Sequence, residues 1–172
     1  MLIEFRINGF MAFTSEQVLR LSRNRGNENP EMYFEAGGTT FLRTAAIYGT
    51  NGSGKSTIVT ALSLMRALVL RSGLDSTKEI LEQISGYARD TASFAVEFMA
   101  DDVRYRYGFS VKNKLITNEW LQASPQGRTQ RLFERVFNAD SQTSTYTYFG
   151  RLQGEKKHWE RASLGISTGL PL

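Results

Sequence analysis

Thr44–Thr57 reads TAAIYGTNGSGKST, and this stretch decides the class of fold. Gly49, Gly54, Lys55 and Ser56 satisfy the pattern G-x-x-x-x-G-K-[ST] of a phosphate-binding loop. Such a loop has to follow a strand and open a helix. Thr44–Tyr48 is short, apolar and partly β-branched, which predicts a buried strand. After the loop, Ile58, Leu62, Met65 and Val69 recur at helical steps, widened by Ala61 and Leu68, which predicts a helix over about 55–71 packed on one face. Strand, loop and helix come in the order that the motif requires.

The chemistry explains the spacing. Backbone N–H groups between Gly49 and Lys55 have to turn inward around a polyphosphate, and glycines permit the dihedrals without a Cβ clash. The helix N-terminus adds unpaired N–H groups and its dipole. The nucleotide-binding set is therefore Thr50, Asn51, Gly52, Ser53, Gly54, Lys55, Ser56 and Thr57, with ATP and Mg²⁺ as the expected ligands. Lys55 is the catalytic candidate, a point charge for the β- and γ-phosphates. The Ser56 hydroxyl is the Mg²⁺ ligand, completed by phosphate oxygens, water and an acidic residue elsewhere. Thr57 is placed to contact the α-phosphate. The competing explanation is a Gly/Ser-rich turn that merely precedes a helix, but four fixed positions coincide in a chain this long on the order of one time in a hundred or fewer.

Composition narrows the class further. The 172 residues suit one domain with a sizeable core, and 41% hydrophobic with 22% charged residues is ordinary for a globular protein. No run approaches the ~18 apolar residues of a membrane span, and Glu4 and Arg6 interrupt the N-terminal apolar residues, which excludes a signal peptide. Zero cysteines exclude disulfides and cysteine metal sites and fit a cytoplasmic location. His158 is the single histidine, so histidine triads and zinc sites are not expected; beside Lys156, Lys157 and Trp159 it reads as a surface residue. A net charge of +4, with 21 basic and 17 acidic residues interspersed, permits nucleic-acid contact without arguing for it.

The rest of the chain is largely β-patterned. Met1–Phe13 and Gln17–Leu21 alternate as two paired strands, and Asn24–Pro30 is a polar loop. Ser76–Ser85 carries Ile80, Leu81 and Ile84 at helical spacing with Ser76 as N-cap. From Ser93 the period becomes two: Phe94, Val96 and Phe98, a turn at Ala100-Asp101-Asp102, then Val103, Tyr105, Tyr107 and Phe109 on the return strand. Leu115–Gln122, Leu132–Phe137 and Tyr146–Phe149 continue as strands. The fold class is α/β of the mixed α+β kind.

A nucleotide triphosphatase also needs an acidic pair at the end of a buried strand. Phe98-Met99-Ala100-Asp101-Asp102 has the outline of one, but Glu97 breaks the apolar run and the alternation makes Asp101-Asp102 a solvated hairpin tip. No other segment places two acids after four apolar residues. In Arg104-Tyr105-Arg106-Tyr107, alternation sends arginines to a solvent face and tyrosines to a core face, and Arg128, Arg131 and Arg135 are assigned to solvent likewise. Phe10 and Phe13 are assigned to the core, with bordering a base as the other role open to them.

The loop GTNGSGKST, about fifty residues after a start reading LIEFRINGFMAF, resembles the N-terminal lobe of the ABC-type ATPases of the SMC, RecF and OLD group. FAVEFMADDVRYRYGFSV, ITNEWL and RLFERVF resemble the AAA-type, OLD-subfamily ATPases often encoded in bacterial phage-defence systems. The resemblance implies a P-loop NTPase in which residues 1–172 form an ABC/SMC-like N-terminal ATP-binding lobe, with the loop at 49–56 and an antiparallel β subdomain over about 93–150. It further implies that Asn51 senses the γ-phosphate and that the turn at Met11-Ala12-Phe13 touches nucleotide, although relatives often carry a basic residue where Met11 stands. Gln153 is the candidate for the family's glutamine loop; the signature loop, acidic strand and switch histidine have no counterpart. Because STGLPL ends where relatives continue into long helices and a second lobe, a fragment is expected.

The function expected from the resemblance is an ATP-binding part that pairs head-to-head with a second ATPase subunit. It would control an effector, a nuclease or toxin, in anti-phage defence or DNA maintenance, away from any membrane. The alternative is a nucleotide-sensing or scaffold module that binds ATP without turnover and acts through its β surface. A small-molecule kinase is disfavoured, because its acidic and arginine lid elements belong to a mostly parallel chain.

Overall fold

Period-two alternation flanks two helices in this sequence, and the structure realises it as one large antiparallel sheet. The computed structural model describes residues 1–22, 30–36, 38–71 and 76–149. Strand β1 (Leu2–Phe10) lies between β2 (Gln17–Arg20) and β5 (Ala88–Ala100). From β5 the chain meanders through β6 (Val103–Lys112), β7 (Leu115–Ser124), β8 (Gln130–Asn138) and β9 (Thr143–Tyr148), giving the order β2-β1-β5-β6-β7-β8-β9. A separate hairpin pairs β3 (Tyr33–Ala36) with β4 (Thr39–Leu42). Helix α1 (Lys55–Leu70) and helix α2 (Ser76–Tyr87) complete the described elements, with single 3₁₀ turns at Pro30–Met32 and Pro125–Gly127. Among the described residues no helix is long and apolar enough to cross a membrane.

The β5–β6 connection is the two-residue tip that the alternation predicts. Asp101 (φ 48°) and Asp102 (φ 57°) are both left-handed, the geometry that matches a right-handed strand twist, and both are exposed. Strand β5 begins at Ala88, before the expected start at Ser93, because the polar stretch Arg89–Thr91 is captured by pairing: Ala88 opposes Phe10, and Asp90 meets Lys112 at 2.9 Å.

One face of the sheet carries the main core. Phe5, Ile7, Phe10, Phe94, Phe109 and Val111 pack with Ala61, Leu64, Met65 and Leu68 of α1 and with Ile80, Leu81 and Ile84 of α2. Tyr107 joins this core, while Arg104 and Arg106 lie on the opposite face against Glu97 at 3.4 and 3.6 Å, as alternation requires. At the end of that second face, Ile3, Met99 and Phe41 form a smaller core with Phe34 and Ala36 of the β3–β4 hairpin.

Three local expectations change. Residues 44–50 adopt no strand and are exposed, Tyr48 at 89%. Apolar composition alone does not make a strand; a neighbouring ladder has to accept its backbone groups, and among the described residues none does. The buried stripe of α1 is Thr57, Ala61, Leu64, Met65 and Leu68, with Val69 exposed, so the helix is rotated from the expected stripe toward Leu64 by its packing on both α2 and β1. Arg135, expected in solvent, is 3% exposed. Its place in β8 puts it opposite Glu119 and Tyr146, on the same face as Tyr107, where it finds a carboxylate.

Candidate functional site

The phosphate loop is formed as a turn that feeds directly into α1. Ser53 N–H donates to the Thr50 carbonyl (3.2 Å), closing residues 50–53, and Gly52 and Gly54 take φ values of 81° and 92° that a Cβ would strain. Gly54 caps α1 with no side-chain hydrogen bond to the helix N-terminus, and the Ile58 N–H is the one that returns to the Gly54 carbonyl at 3.3 Å. The N–H groups of the first turn are thus left without a capping side chain, at the positive end of a 16-residue helix.

Lys55 crosses this loop from inside. Its Nζ donates to the carbonyls of Gly49 (2.8 Å) and Thr50 (2.7 Å), so the ammonium sits within the arc of the loop at the helix start. Thr50, Asn51, Gly52 and Ser53 form the exposed rim, and Ser56 is exposed beside Lys55. Thr57 differs from these: at 5% exposure it is part of the buried face of α1. The structure therefore gathers Gly49 through Ser56 at one helix end and turns Thr57 inward. Gln153, His158 and the flanking Lys156, Lys157 and Trp159 lie outside the described residues.

The donor set fits a polyphosphate: one ammonium, uncapped helix N–H groups, and glycines where the backbone approaches. It also fits the small part a protein plays in holding Mg²⁺, since that ion takes most of its ligands from phosphate and water and needs from the chain little beyond one hydroxyl, here Ser56. Among the described residues no group of three or more His, Asp or Glu side chains is placed to hold a metal by itself.

The turn after β1 reaches the loop. Phe13 packs its ring against Gly54, where a Cβ would lie 2.7 Å from Cζ and 3.4 Å from Cδ1. Phe10 is wholly buried, edge-on to Tyr87 and Phe94 at 5.7 and 5.4 Å between ring centroids. Of the two roles left open for these rings, Phe10 takes the core, whereas Phe13 divides itself between the core and the loop. The sequence signal for this contact was the FMAF that follows Gly9, but nothing local to it announces a partner some forty residues on.

The sequence matches the family described as "AAA domain, putative AbiEii toxin, Type IV TA system" over residues 45–167, most of the 172-residue chain. The chain belongs to this family. It is an AAA-type P-loop nucleotide-binding domain, and the matched range takes in the loop, both helices and the β5–β9 meander of this AAA domain. No curated protein matches it.

Two polar clusters lie away from the loop. On the helix side of the sheet, Tyr107 donates its hydroxyl to Glu119 (2.7 Å), Arg135 Nη1 stands 3.6 Å from the same carboxylate, and Arg135 Nε donates to Ser144 (3.2 Å). Burial first, then the charge of Glu119 and its acceptance of the hydrogen bond, push the Tyr107 hydroxyl well above the ordinary tyrosine pKa. At the β1–β2 edge, Glu4 is buried between Arg6 and Arg20. Burial works to raise its carboxyl, but the hydrogen bonds and charges of the two arginines outweigh it and hold the group below its usual range.

On the outer face, Arg104 and Arg106 border a polar pocket of about 500 Å³ with Thr39, Ser124 and Thr129, and the Arg106 guanidinium lies 5.9 Å over Trp120. Glu97 opposes both arginines, which leaves this face mixed in charge. Asp101 and Asp102 remain at the exposed hairpin tip.

Proposed function

We propose that this AAA domain is the ATP-binding part of an ABC/OLD-like ATPase, related to the SMC and RecF group, whose nucleotide state controls an effector. The observation that carries the proposal is Lys55, its ammonium held by the Gly49 and Thr50 carbonyls at the uncapped start of α1. A triphosphate entering the loop exchanges those two carbonyls for β- and γ-oxygens, and Ser56 contributes its hydroxyl to the accompanying Mg²⁺. Asn51, at the loop rim, faces the γ-phosphate.

Hydrolysis needs more than this loop. The attacking water has to be oriented by an acid, and a second subunit facing head-to-head would press on the γ-phosphate. Among the described residues, the acid pair that follows a strand is Asp101-Asp102, and it lies at an exposed tip, so in this proposal the acid comes from residues outside those described. The family description links such domains to a toxin of a type IV toxin–antitoxin system, which supports the toxin form of the effector; a nuclease effector and a role in anti-phage defence are part of the proposal itself. Cytoplasmic action belongs to the same proposal.

The test is phosphate release by the protein beside its Lys55→Ala variant. The proposal expects Lys55-dependent turnover. Nucleotide binding without turnover would favour the alternative, a sensing or scaffold module. Equal phosphate release by wild type and Lys55→Ala would contradict the proposal.

A further inference from the structure

We propose that Phe13 is a positioning residue for the phosphate loop, its ring serving as the seat that holds Gly54 and the entry to α1 in their polyphosphate-binding conformation. This inference rests on the nucleotide-binding proposal above. Three unusual backbone features converge on that one ring. The β1–β5 register shifts between Asn8 and Phe10, and Gly9 at the shift has φ 68° and lies so close to the Thr91 carbonyl that a Cβ has no room. Such bulges re-aim side chains, and they concentrate beside functional sites.

Met11 then takes φ 50°, a left-handed conformation that is costly for a non-glycine residue and persists only where the surroundings over-determine it. Here they do. Met11 N–H donates to the carbonyl of Tyr87, the last residue of α2 (2.9 Å), while Phe10 and Phe13 exchange two backbone hydrogen bonds of 3.1 and 3.0 Å. The turn is thereby locked to the α2–β5 junction, with Phe10 as its buried anchor and Phe13 projecting onto Gly54.

The consequence follows from what Gly54 does. Its φ of 92° turns the chain from the loop into α1, and so aims the N–H groups on either side of it. With the ring against its Cα, Gly54 has no space to swing toward Phe13, and the donors stay gathered before any ligand arrives. Preorganisation of this kind raises affinity by lowering the ordering cost of binding.

Two other roles for the ring make different predictions. A platform for the base acts on nucleosides alone, whereas a filler of the core acts on overall stability alone. The experiment compares the 172-residue chain with Phe13→Leu and Phe13→Ala. Calorimetry gives the Kd for Mg·ATP, Mg·GTP and Mg·tripolyphosphate, and hydrogen exchange without ligand is read at residues 50–57 and across β5–β8. The expected result for Phe13→Ala is a loss of roughly tenfold or more that is equal for all three ligands, with a smaller loss for Phe13→Leu. Exchange should quicken at 50–57 and remain unchanged across β5–β8.

A loss confined to ATP and GTP would overturn the inference in favour of a base platform. Unchanged affinity and unchanged loop exchange would overturn it outright. If wild type and Lys55→Ala bind ATP alike, it is the nucleotide proposal that has failed, and the exchange data alone then decide whether Phe13 orders the loop. Should Phe13→Ala fail to fold, Phe13→Leu supplies the same comparisons.

Discussion

Gly52 and Gly54 have the same sign of φ but different surroundings, and alanine at each separates strain from packing. Either substitution places a Cβ in the left-handed region, at φ 81° or 92°, for about 1–2 kcal/mol. At Gly52 nothing lies within 4 Å of the added carbon, so strain is the whole effect. At Gly54 the carbon meets the Phe13 ring, with Cζ at 2.7 Å, and overpacking adds about 1–3 kcal/mol. The difference between the two variants is then about 1–3 kcal/mol, or about 5- to 150-fold in Mg·ATP affinity. Because the loop is exposed, its strain is relieved by local disorder rather than by global unfolding, and the melting temperature should move by no more than about 2 °C. Titration calorimetry with a parallel thermal melt reads both quantities. An affinity loss at Gly52→Ala that equals or exceeds the loss at Gly54→Ala would refute the role given to the ring.

The buried pair offers a second test. Arg135→Met removes the cation that stands 3.6 Å from the Glu119 carboxylate and should lower stability by about 3 kcal/mol, a drop of roughly 6–12 °C in Tm for a chain of this size. Arg135→Met/Glu119→Leu should recover more than half of that loss in urea unfolding, and additive single effects would show that the two charges are not coupled. The third prediction concerns pH. Glu4 has a depressed folded-state pKa, so its contribution is present above the unfolded value of about 4.3 and disappears as pH falls through the folded value. The gap in Tm between wild type and Glu4→Gln should accordingly be widest near neutrality and close in acid; a gap that is constant with pH would contradict the assignment.

The strands were legible because period-two alternation from Phe94 to Phe109 is long, and because the turn between them carries two aspartates able to take positive φ. The loop was legible for a different reason: its chemistry requires fixed residues at fixed spacing. What composition could not give was the partner of each segment. Thr44–Tyr48 has the residues of a strand but no ladder among the described residues, and Arg135 has the side chain of a surface residue but a carboxylate across the sheet. The Phe13–Gly54 contact belongs to the same class. Forty residues separate the two, and only the bulge at Gly9 and the lock to Tyr87 bring the ring to the loop.

Titration of Mg·ATP into wild type and Lys55→Ala, each shown folded by circular dichroism, decides whether Lys55 holds a triphosphate at the start of α1. Two charge-assisted hydrogen bonds at about 1.5–3 kcal/mol each predict that the variant binds at least about a hundredfold more weakly. Saturable binding by wild type with that loss in Lys55→Ala is the result the geometry predicts; equal binding by both proteins would contradict it.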